Sequence, residues 1–395
     1  HSLRAGAPFP SCISSSEMTS PTSESPVTRI AAALPAVSLA MLLVAGLAST
    51  LYAVGTGRPA LWSGPVTASG FLNGQTMQGI ADALARAPQP RVAADAARAA
   101  NWLLLNDLGP QVRQGCPDWL FLAEELAPHE GAAGNMAQRA AMVAQVHRAL
   151  QRDGIRLLVA VVPDKSRIAH DHLCGLQRST ALQGRVAAWI TLLQDSGVPV
   201  LDLETVLEAM QTRGEEAFFR TDTHWTEDGA QHAAQAVARA AQASGWSPEP
   251  VQEYDAVREA PAVRPGDLVR LAGIEGLPAR WQPAPETARS ARFTPRSAAE
   301  EDDLFGDAKL PRTVLIGTSF SRTSGFAGYL AQALHTPVAH FGRDGGNFSG
   351  GAAAYFQAPD WRETPPRLVI WEIPERTLQP PATAAERAEW RALPG

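Results

Sequence analysis

Hydrophobic positions along the chain follow two spacings, which predict helices and strands in turn. Apolar residues three and four apart indicate amphipathic helices, and short continuous apolar runs indicate strands buried in a parallel sheet. Strands that alternate with helices form a mostly parallel sheet with helices on both faces, so the pattern predicts an α/β fold. The predicted helices are Ala81–Ala87, Val92–Leu105, Ala137–Arg152, Ala181–Leu193, Glu204–Gln211, Glu227–Ser244, Ser324–Leu334 and Gly351–Phe356. The predicted strands are Ile155–Val162, Val198–Leu201, Thr313–Ile316, Val338–Phe341 and Arg367–Ile373.

One stretch, residues 246–310, interrupts this alternation. It is rich in Pro, Gly and Arg, and it contains an acidic run, Glu300–Asp303. A segment of this length without a regular pattern predicts an insertion that lies over the sheet as a lid. The chain is therefore divided into a disordered cytoplasmic tail or upstream artefact (1–29), a transmembrane anchor (30–54), a linker and helical lead-in (55–110), the α/β domain with its insertion (111–376) and a C-terminal tail (377–395).

A long apolar segment lies near the start of the chain. No charged residue occurs from Ile30 to Val54. A membrane-spanning helix needs about 20 apolar residues, whereas the apolar region of a cleaved signal peptide has only about 7–15. The length therefore favours an uncleaved anchor, with a signal peptide as the alternative. The flanking Arg29 and Arg58 leave its orientation open. The sequence begins with His1, and Met18 is a candidate start.

Composition and charge restrict the class of protein. The 395 residues are 45% hydrophobic and 19% charged, which is typical of a globular protein. A formal net charge of −6 without a basic cluster argues against a nucleic-acid-binding protein. Of the three cysteines, Cys12 precedes the candidate start, while Cys116 and Cys174 lie near elements expected to pack together. The latter two could form a disulfide in an oxidising compartment, or remain buried thiols.

Three residues have the types that a nucleophilic triad needs. In an extended segment Asp222 and His224 point the same way, as an acid that orients a base. Ser319 follows an apolar strand in a Gly-x-Ser turn, which suits a nucleophile at the carboxyl edge of a sheet. The alternative is that His224 and Trp225 only cap and pack the helix Glu227–Ser244. Sequence alone leaves both open, since spatial proximity is not visible in it.

Other polar residues at predicted strand ends are candidates for the oxyanion or the substrate. Gly346 and Asn347 could donate backbone and amide N–H groups to an oxyanion, and Arg343 precedes them. The alternative for this segment is a flexible glycine turn. Lys165 could bind an anionic sugar or fix the site, or it could be an ordinary surface cation.

Neither a metal nor a cofactor is predicted. His170 and His172, together with Asp222 and His224, supply ligand types for zinc. No His-x-x-x-His helix or cysteine cluster accompanies them, so His170 and His172 are expected in a surface loop.

At several motifs the chain resembles a known family, the alginate O-acetyltransferase proteins of the AlgJ/AlgX type, which have an SGNH-hydrolase-like domain. The resemblance covers about residues 110–376. In ordinary SGNH hydrolases the serine comes first and the Asp/His pair last. The reversed order here resembles the circular permutation of this family. The matching stretches are Gly115–Leu122, Val161–Lys165, Arg220–Trp225, Ile316–Ser321 and Val369–Pro374.

The resemblance implies a function and a location. Ser319 matches the nucleophile of the family, and Asp222 and His224 match its Asp/His pair. The implied enzyme adds acetyl groups to an exopolysaccharide in the periplasm, single-pass anchored in the inner membrane, and receives them through a membrane-bound O-acyltransferase partner. Two alternatives stay open: a carbohydrate esterase with the same triad, and a non-catalytic scaffold of a polysaccharide export complex.

Overall fold

The computed structural model describes residues 26–56, 67–85, 88–296 and 311–395. These form two compact units, residues 1–94 and residues 95–395, each described here by itself. The first 25 residues of the predicted tail and the acidic run Glu300–Asp303 lie outside the described residues.

The first unit contains short helices and one long apolar helix. The long helix, α1 (Pro26–Gly55), is followed by α2 (Ala68–Leu72) and α3 (Gln75–Ala85). Within α1 the exposed stretch Pro35–Tyr52 is long and apolar enough to cross a membrane, and a signal sequence near the N-terminus would have the same properties. Its 18 residues span about 27 Å, close to the roughly 30 Å of a bilayer's hydrocarbon core.

The remaining elements alternate as the hydrophobic pattern predicts. The helices that follow are α4 (Pro88–Leu105), α5 (Ala132–Arg152), α6 (Lys165–Ile168), α7 (Arg185–Asp195), α8 (Glu204–Thr212), α9 (Glu227–Ala243), α10 (Asp267–Leu271), α11 (Ser319–Arg322), α12 (Phe326–Leu334), α13 (Gly350–Gln357), α14 (Asp360–Glu363) and α15 (Ala384–Trp390). The strands are β1 (Val112–Gln114), β2 (Leu120–Leu122), β3 (Arg156–Val162), β4 (Val200–Asp202), β5 (Tyr254–Arg258), β6 (Ala262–Arg264), β7 (Glu286–Ala288), β8 (Ala291–Pro295), β9 (Thr313–Gly317), β10 (Val338–Gly342) and β11 (Leu368–Pro374).

The central sheet confirms the α/β prediction. In the described part of the chain it has five parallel strands in the order β10-β9-β11-β3-β4. Side chains of β3 alternate between two hydrophobic cores, because successive residues of a strand point to opposite faces. Val159 lies in the core under α5, α7 and α13, and Ala160 in the core under α8, α9 and α12. Helices therefore cover both faces of the sheet.

The parallel order places the carboxyl ends of the strands at one edge. Gly317 of β9 pairs with Gly342 of β10, and Pro374 of β11 pairs with Val162 of β3. Site candidates from the sequence follow three of these strands, β3, β9 and β10, whereas Asp222 and His224 lie in the loop between α8 and α9. Ligands of parallel sheets bind at such an edge.

The insertion is more regular than its composition indicates. Its described part forms two antiparallel ribbons, β5 with β8 and β6 with β7, and the helix α10. Phe293 of β8 packs edge-on against Tyr329 of α12 at 4.9 Å between ring centroids, so this ribbon is fixed to the domain. The ribbon of β6 and β7 approaches the segment that carries Asp222 and His224, as described below.

The residues after the last strand are also part of the packed domain. The segment set apart as a C-terminal tail contains α15, with Thr383 as its N-cap. Arg139 of α5 forms a buried bidentate salt bridge with Glu386 of α15, at 2.8 and 3.0 Å. Leu393 joins the core under α5. A disulfide joins Cys116 to Cys174.

Candidate active site

The segment that carries Asp222 and His224 is a tight hairpin-like loop. Phe218 and Trp225 form an isolated antiparallel bridge, and the N–H of Phe219 donates to the carbonyl of His224 at 3.1 Å. Thr226 caps α9 by accepting from the N–H of Gly229, as its position before the helix predicts. The loop is therefore fixed at both of its ends.

Ser319 lies at the start of α11, immediately after β9. The buried carboxylate of Glu372 on β11 accepts from the N–H of Thr318 at 2.7 Å and from its hydroxyl at 3.0 Å. A Cβ at position 317 would lie 2.6 Å from Glu372 Oε2, so only glycine fits beneath this turn. Burial raises the pKa of Glu372, against the hydrogen bonds from Thr318 that lower it.

Aromatic packing brings the two segments together. Phe320 follows Ser319, Trp225 follows His224, and their ring centroids are 5.1 Å apart, edge to face. The Phe320 ring also lies 4.9 Å from the imidazole of His224. Ser324 donates to the carbonyl of Trp225 at 2.7 Å. Because these aromatic residues are fully buried, core packing determines the relative position of Ser319 and His224.

A hydrogen-bonded chain then joins the three predicted residues. Ser319 Oγ is 2.8 Å from His224 Nε2, and His224 Nδ1 is 2.7 Å from Asp222 Oδ1. Asp222 and His224 are buried, whereas Ser319 is half-buried. Burial alone would raise the pKa of Asp222, but the hydrogen bond from His224 and the charges of His224 and Arg264 hold it well below its usual range. The carboxylate therefore stays ionised and holds the Nδ1 proton.

Two residues of the insertion complete this network, and sequence analysis missed both. Arg264 Nε donates to Asp222 Oδ2 at 3.1 Å. Asp267 accepts from the N–H of Thr223 at 2.6 Å and lies 3.5 Å from His224 Nδ1. Burial and the neighbouring charge of Asp222 raise the pKa of Asp267. No short motif marks these residues, because they contact the loop only through tertiary structure.

Two carboxylates and the imidazole of this network are also ligand types for a metal ion. One ligand atom each from Asp222, His224 and Asp267 lies within 4.8 Å of the others. Asp222 Oδ1 and His224 Nδ1 already share a hydrogen bond, and the positively charged Arg264 donates to Asp222 Oδ2. This donor set suits a proton relay better than a cation.

Lys165 does not take the substrate position suggested for it. Its buried ammonium donates to the carbonyls of Leu120 at 2.5 Å, Arg220 at 2.7 Å and Asp222 at 3.1 Å. Burial lowers its pKa from 10.5 to about 8, although the nearby carboxylates of Glu125 and others oppose the shift. Three carbonyl partners leave the ammonium no donor for a substrate, so Lys165 supports the loop that carries Asp222.

The glycine-rich segment after β10 reaches the site only in part. Gly346 and Asn347 line a cavity beside Ser319. Arg343, predicted with them, is exposed and lies 3.5 Å from Glu389 of α15. The guanidinium is thus directed to the C-terminal helix, because α15 supplies the carboxylate that pairs with it. His170 and His172 lie in a 3₁₀ turn outside this site; His170 is exposed, as expected for a surface loop, whereas the half-buried His172 stacks on Trp119 at 3.9 Å between ring centroids.

A groove of about 820 Å³ opens over the triad. Asp222, His224 and Ser319 line its floor. Its walls come from the β1–β2 region, the insertion, the segment after β10 and Arg376 after β11. The guanidinium of Arg376 stacks on the Phe320 ring at 5.2 Å from its centroid. The groove is partly open to solvent and its lining has mixed charge, which suits a hydrophilic substrate.

Comparisons with known proteins agree with this geometry. Residues 112–375 match the model of the SGNH hydrolase-like domain of the acetyltransferase AlgX. The chain belongs to this acetyltransferase family. The probable alginate O-acetylase AlgJ of Pseudomonas putida is 33% identical over 74% of this chain and 76% of its own length, and that of Azotobacter vinelandii is 31% identical over 71% and 73%. The chain is accordingly an O-acyltransferase, as the resemblance implied.

Solved structures of the family have the same fold. The O-acetyltransferase domain of Pseudomonas putida AlgJ is 30% identical, with a TM-score of 0.60, over 68% of this chain and 92% of that domain. Pseudomonas aeruginosa AlgX, at 22% identity and a TM-score of 0.53, shares the fold. The family membership confirms the SGNH-like α/β architecture predicted from the sequence.

Proposed function

We propose that this protein transfers acetyl groups to hydroxyl groups of a polysaccharide through an acetyl-serine intermediate on Ser319. The single observation that carries the proposal is the unbroken hydrogen-bonded chain from Ser319 Oγ through His224 to Asp222 at the floor of an open groove. A serine hydroxyl becomes a nucleophile when a positioned base takes its proton, and a third group fixes the tautomer of that base.

In the first half-reaction, Ser319 Oγ attacks the carbonyl carbon of the acetyl donor. His224 Nε2 takes the hydroxyl proton, and the Oγ–carbon bond forms. His224 then gives the proton to the leaving group as the carbon–leaving-group bond breaks. Asp222 stabilises the imidazolium that exists between the two transfers.

In the second half-reaction, a sugar hydroxyl gives its proton to His224 Nε2 and attacks the acetyl-serine. The Oγ–carbon bond breaks, and the proton returns to Ser319 Oγ. Each tetrahedral intermediate carries a negative oxygen that needs N–H donors. Gly346 and Asn347, which line the cavity beside Ser319, are the candidates for this role.

The polymer is proposed from the names of the relatives, and the donor from the family resemblance. The related proteins are named for alginate, so an exopolysaccharide such as alginate is the proposed acceptor. The proposed donor is a membrane-bound O-acyltransferase partner. An anchor formed by α1 would hold the catalytic unit in the periplasm beside the inner membrane, and the Cys116–Cys174 disulfide fits an oxidising compartment. Asp222 and His224 precede Ser319 along the chain, which is the order that a circularly permuted SGNH domain would have.

The purified full chain tests the proposal when it is incubated with a chromogenic acetyl ester and an oligosaccharide acceptor. We expect wild-type protein to carry acetyl on Ser319 and to pass it to the sugar. Ser319→Ala and His224→Ala should lower the rate by on the order of 10⁴-fold or more.

Ser321→Ala is a matched variant of the same turn. Its buried hydroxyl donates to the carbonyl of Thr318 at 2.7 Å and is 2.9 Å from His340, so it tests the support of the turn. Ser196→Ala, at an exposed hydroxyl at the end of α7, is the neutral comparison, and labelling should persist in it. An unchanged rate in Ser319→Ala would refute the triad. Acetyl recovered only as free acetate, whatever the acceptor, would make the protein an esterase instead.

A further inference from the structure

A second cavity, here called the insertion pocket, adjoins the catalytic groove. It has a volume of about 370 Å³, and its lining residues belong to the insertion except for Thr221, which precedes the triad acid Asp222. Arg264, Pro265 and Arg270 line both the pocket and the groove. Because Pro265 and Arg270 are exposed, the boundary between the two spaces lies at the surface of the protein. A chain that lies in the groove can therefore continue into the pocket.

The insertion pocket is held in a fixed position relative to the triad. Arg264 of β6 donates to Asp222 Oδ2 at 3.1 Å. Glu286 of β7 accepts from the N–H of Thr221 at 2.7 Å and from its hydroxyl at 2.6 Å. A Cβ at position 266 would overlap the carbonyl oxygen of Thr221, so Gly266 is needed for this close approach. Both strands of the ribbon therefore bind the segment that carries the triad acid, and the pocket is formed before a substrate arrives.

The lining of the pocket combines apolar surface with charged groups. Val263, Val269 and Pro283 are apolar lining residues. Arg270 and Glu275 also line the pocket and are exposed, and neither side chain has a hydrogen-bond or ion-pair partner among the described residues. Small-molecule sites have this combination, and their volumes of roughly 300–1,000 Å³ include that of the pocket. A sugar unit suits it, because its C–H faces pack on apolar surface while its polar groups contact the charged side chains.

The proposed acceptor is a polymer, so the sugar unit that presents its hydroxyl to His224 is joined to further units. A neighbouring unit needs a space that adjoins the groove. The cavity that contains Gly346 and Asn347 also adjoins the groove, but it measures about 160 Å³ and holds the candidate oxyanion donors. We propose that the insertion pocket binds the neighbouring sugar unit of the acceptor chain. The proposal rests on the transferase function of Ser319 set out above.

Such a subsite acts on one half-reaction only. Binding energy from a part of the substrate that does not react can orient the part that does, so a truncated acceptor loses rate. The acceptor takes part only in the second half-reaction, in which the acetyl group leaves Ser319. Formation of acetyl-serine should therefore be independent of the acceptor, whereas transfer should depend on its length.

Alginate oligosaccharides of one, two and four units test the subsite on the purified full chain, with 4-nitrophenyl acetate as the donor. The mass of the Ser319 peptide without acceptor reports acetyl-serine, and the mass of the oligosaccharide reports transfer. We expect kcat/KM for transfer to be about tenfold or more higher with the longer acceptors than with the single sugar.

Ala279→Trp places a bulky ring in the pocket. Ala279 lines the pocket and is exposed in a 3₁₀ turn, Ala279–Trp281. We expect the advantage of the longer acceptors to fall about tenfold, to near one. Ala181→Trp is the matched control, because Ala181 is also exposed in a 3₁₀ turn but lines none of these three cavities; it should keep the wild-type ratio. If Ala279→Trp loses its thermal unfolding transition, Arg270→Gln replaces it, and the ratio should fall in that variant as well.

Three results would overturn the subsite, and a fourth would overturn the triad instead. A wild-type enzyme that acetylates single sugars as well as longer acceptors has no subsite of this kind. Acetyl-serine that passes its acetyl group to none of the oligosaccharides also rejects it. A folded pocket variant with the wild-type length ratio places the neighbouring sugar elsewhere. Absence of acetyl on Ser319 rejects the proposed function.

Discussion

Lys165 offers a sharp test of how the catalytic loop is held. Its ammonium is 1% exposed and donates to three backbone carbonyls, two of which belong to the segment 220–222. Lys165→Met keeps the length of the side chain but leaves those carbonyls without this donor. Removing one partner from a buried charged contact costs about 3–5 kcal/mol when the other partner stays buried without it. Lys165→Met also removes the buried positive charge, which offsets part of this cost. We expect the variant to lose about 2–3 kcal/mol of unfolding free energy at pH 7.

The pH dependence of the stability difference between wild type and Lys165→Met shows whether the buried ammonium causes it. Burial lowers the pKa of Lys165 from 10.5 to about 8. The unfolded chain therefore binds more protons than the folded chain between pH 8 and pH 10, so wild-type stability rises with pH in this window. A shift of this size makes the folded wild type roughly 2 kcal/mol more stable at pH 9.5 than at pH 7. Methionine does not titrate, so the deficit of Lys165→Met should grow by that amount.

Denaturant unfolding of both proteins, followed by tryptophan fluorescence at pH 7, 8, 9 and 9.5, measures this deficit. The difference between the two proteins cancels the titration of every group that does not interact with Lys165. Trp119 reports on the site because its ring centre is 5.3 Å from Lys165 Nζ. A variant as stable as wild type at pH 7, or a deficit that does not change between pH 7 and pH 9.5, would refute the reasoning.

Two further variants test the supports of the site. Arg264→Gln should cost about 1–2 kcal/mol at pH 7. Because the hydrogen bond and charge of His224 also hold the pKa of Asp222 well below its usual range, the carboxylate stays ionised in both folded proteins, and the deficit should be nearly the same at pH 7 and pH 4; a deficit that disappears between these two pH values would contradict this. Replacing both Cys116 and Cys174 by Ser should cost up to about 4 kcal/mol, since the disulfide closes a loop of 58 residues. A wild-type denaturation midpoint that is the same with and without reductant would contradict this prediction.

Much of the central sheet was predictable because its strands are continuous apolar runs. Ile155–Val162 and Thr313–Ile316 differ from the observed strands by one residue at one end. The helix after Thr226 was predictable from its cap. Other boundaries moved further: the helix predicted from Ala181 begins at Arg185, because a 3₁₀ turn precedes it.

Some elements without a strong period were missed. The turn and short strand that Gly115–Leu122 predicts correspond to β2, whereas its partner β1 has only three residues, too few for alternation to be recognised. The helix α15 has a capping threonine and a helical composition that were available in the sequence. Its role became visible only through the Arg139–Glu386 contact, which spans 247 residues of the chain.

The candidate site was likewise predictable where local patterns mark its residues, and not where tertiary contacts bring residues to it. The residue types and loop positions of Asp222, His224 and Ser319 suggested a triad, because Asp-x-His and Gly-x-Ser are local patterns. Arg264 contacts Asp222 from 42 residues away, and no local pattern records such a contact. For Lys165 the sequence left three roles open, which were binding an anionic sugar, fixing the site and an ordinary surface position, the last because lysine is rarely buried. Three carbonyls offset its burial, and the sequence does not show their convergence.

Both halves of the triad depend on the same buried aromatic packing, because Phe320 beside the nucleophile packs on Trp225 beside the base. The loop of the acid and the base has charged supports as well, from Lys165 on one side and from Arg264 of the insertion on the other. Packing is insensitive to pH, whereas these charged contacts respond to it. Changes in pH should consequently displace the acid–base pair before the aromatic packing fails, and activity should fall before the fold is lost.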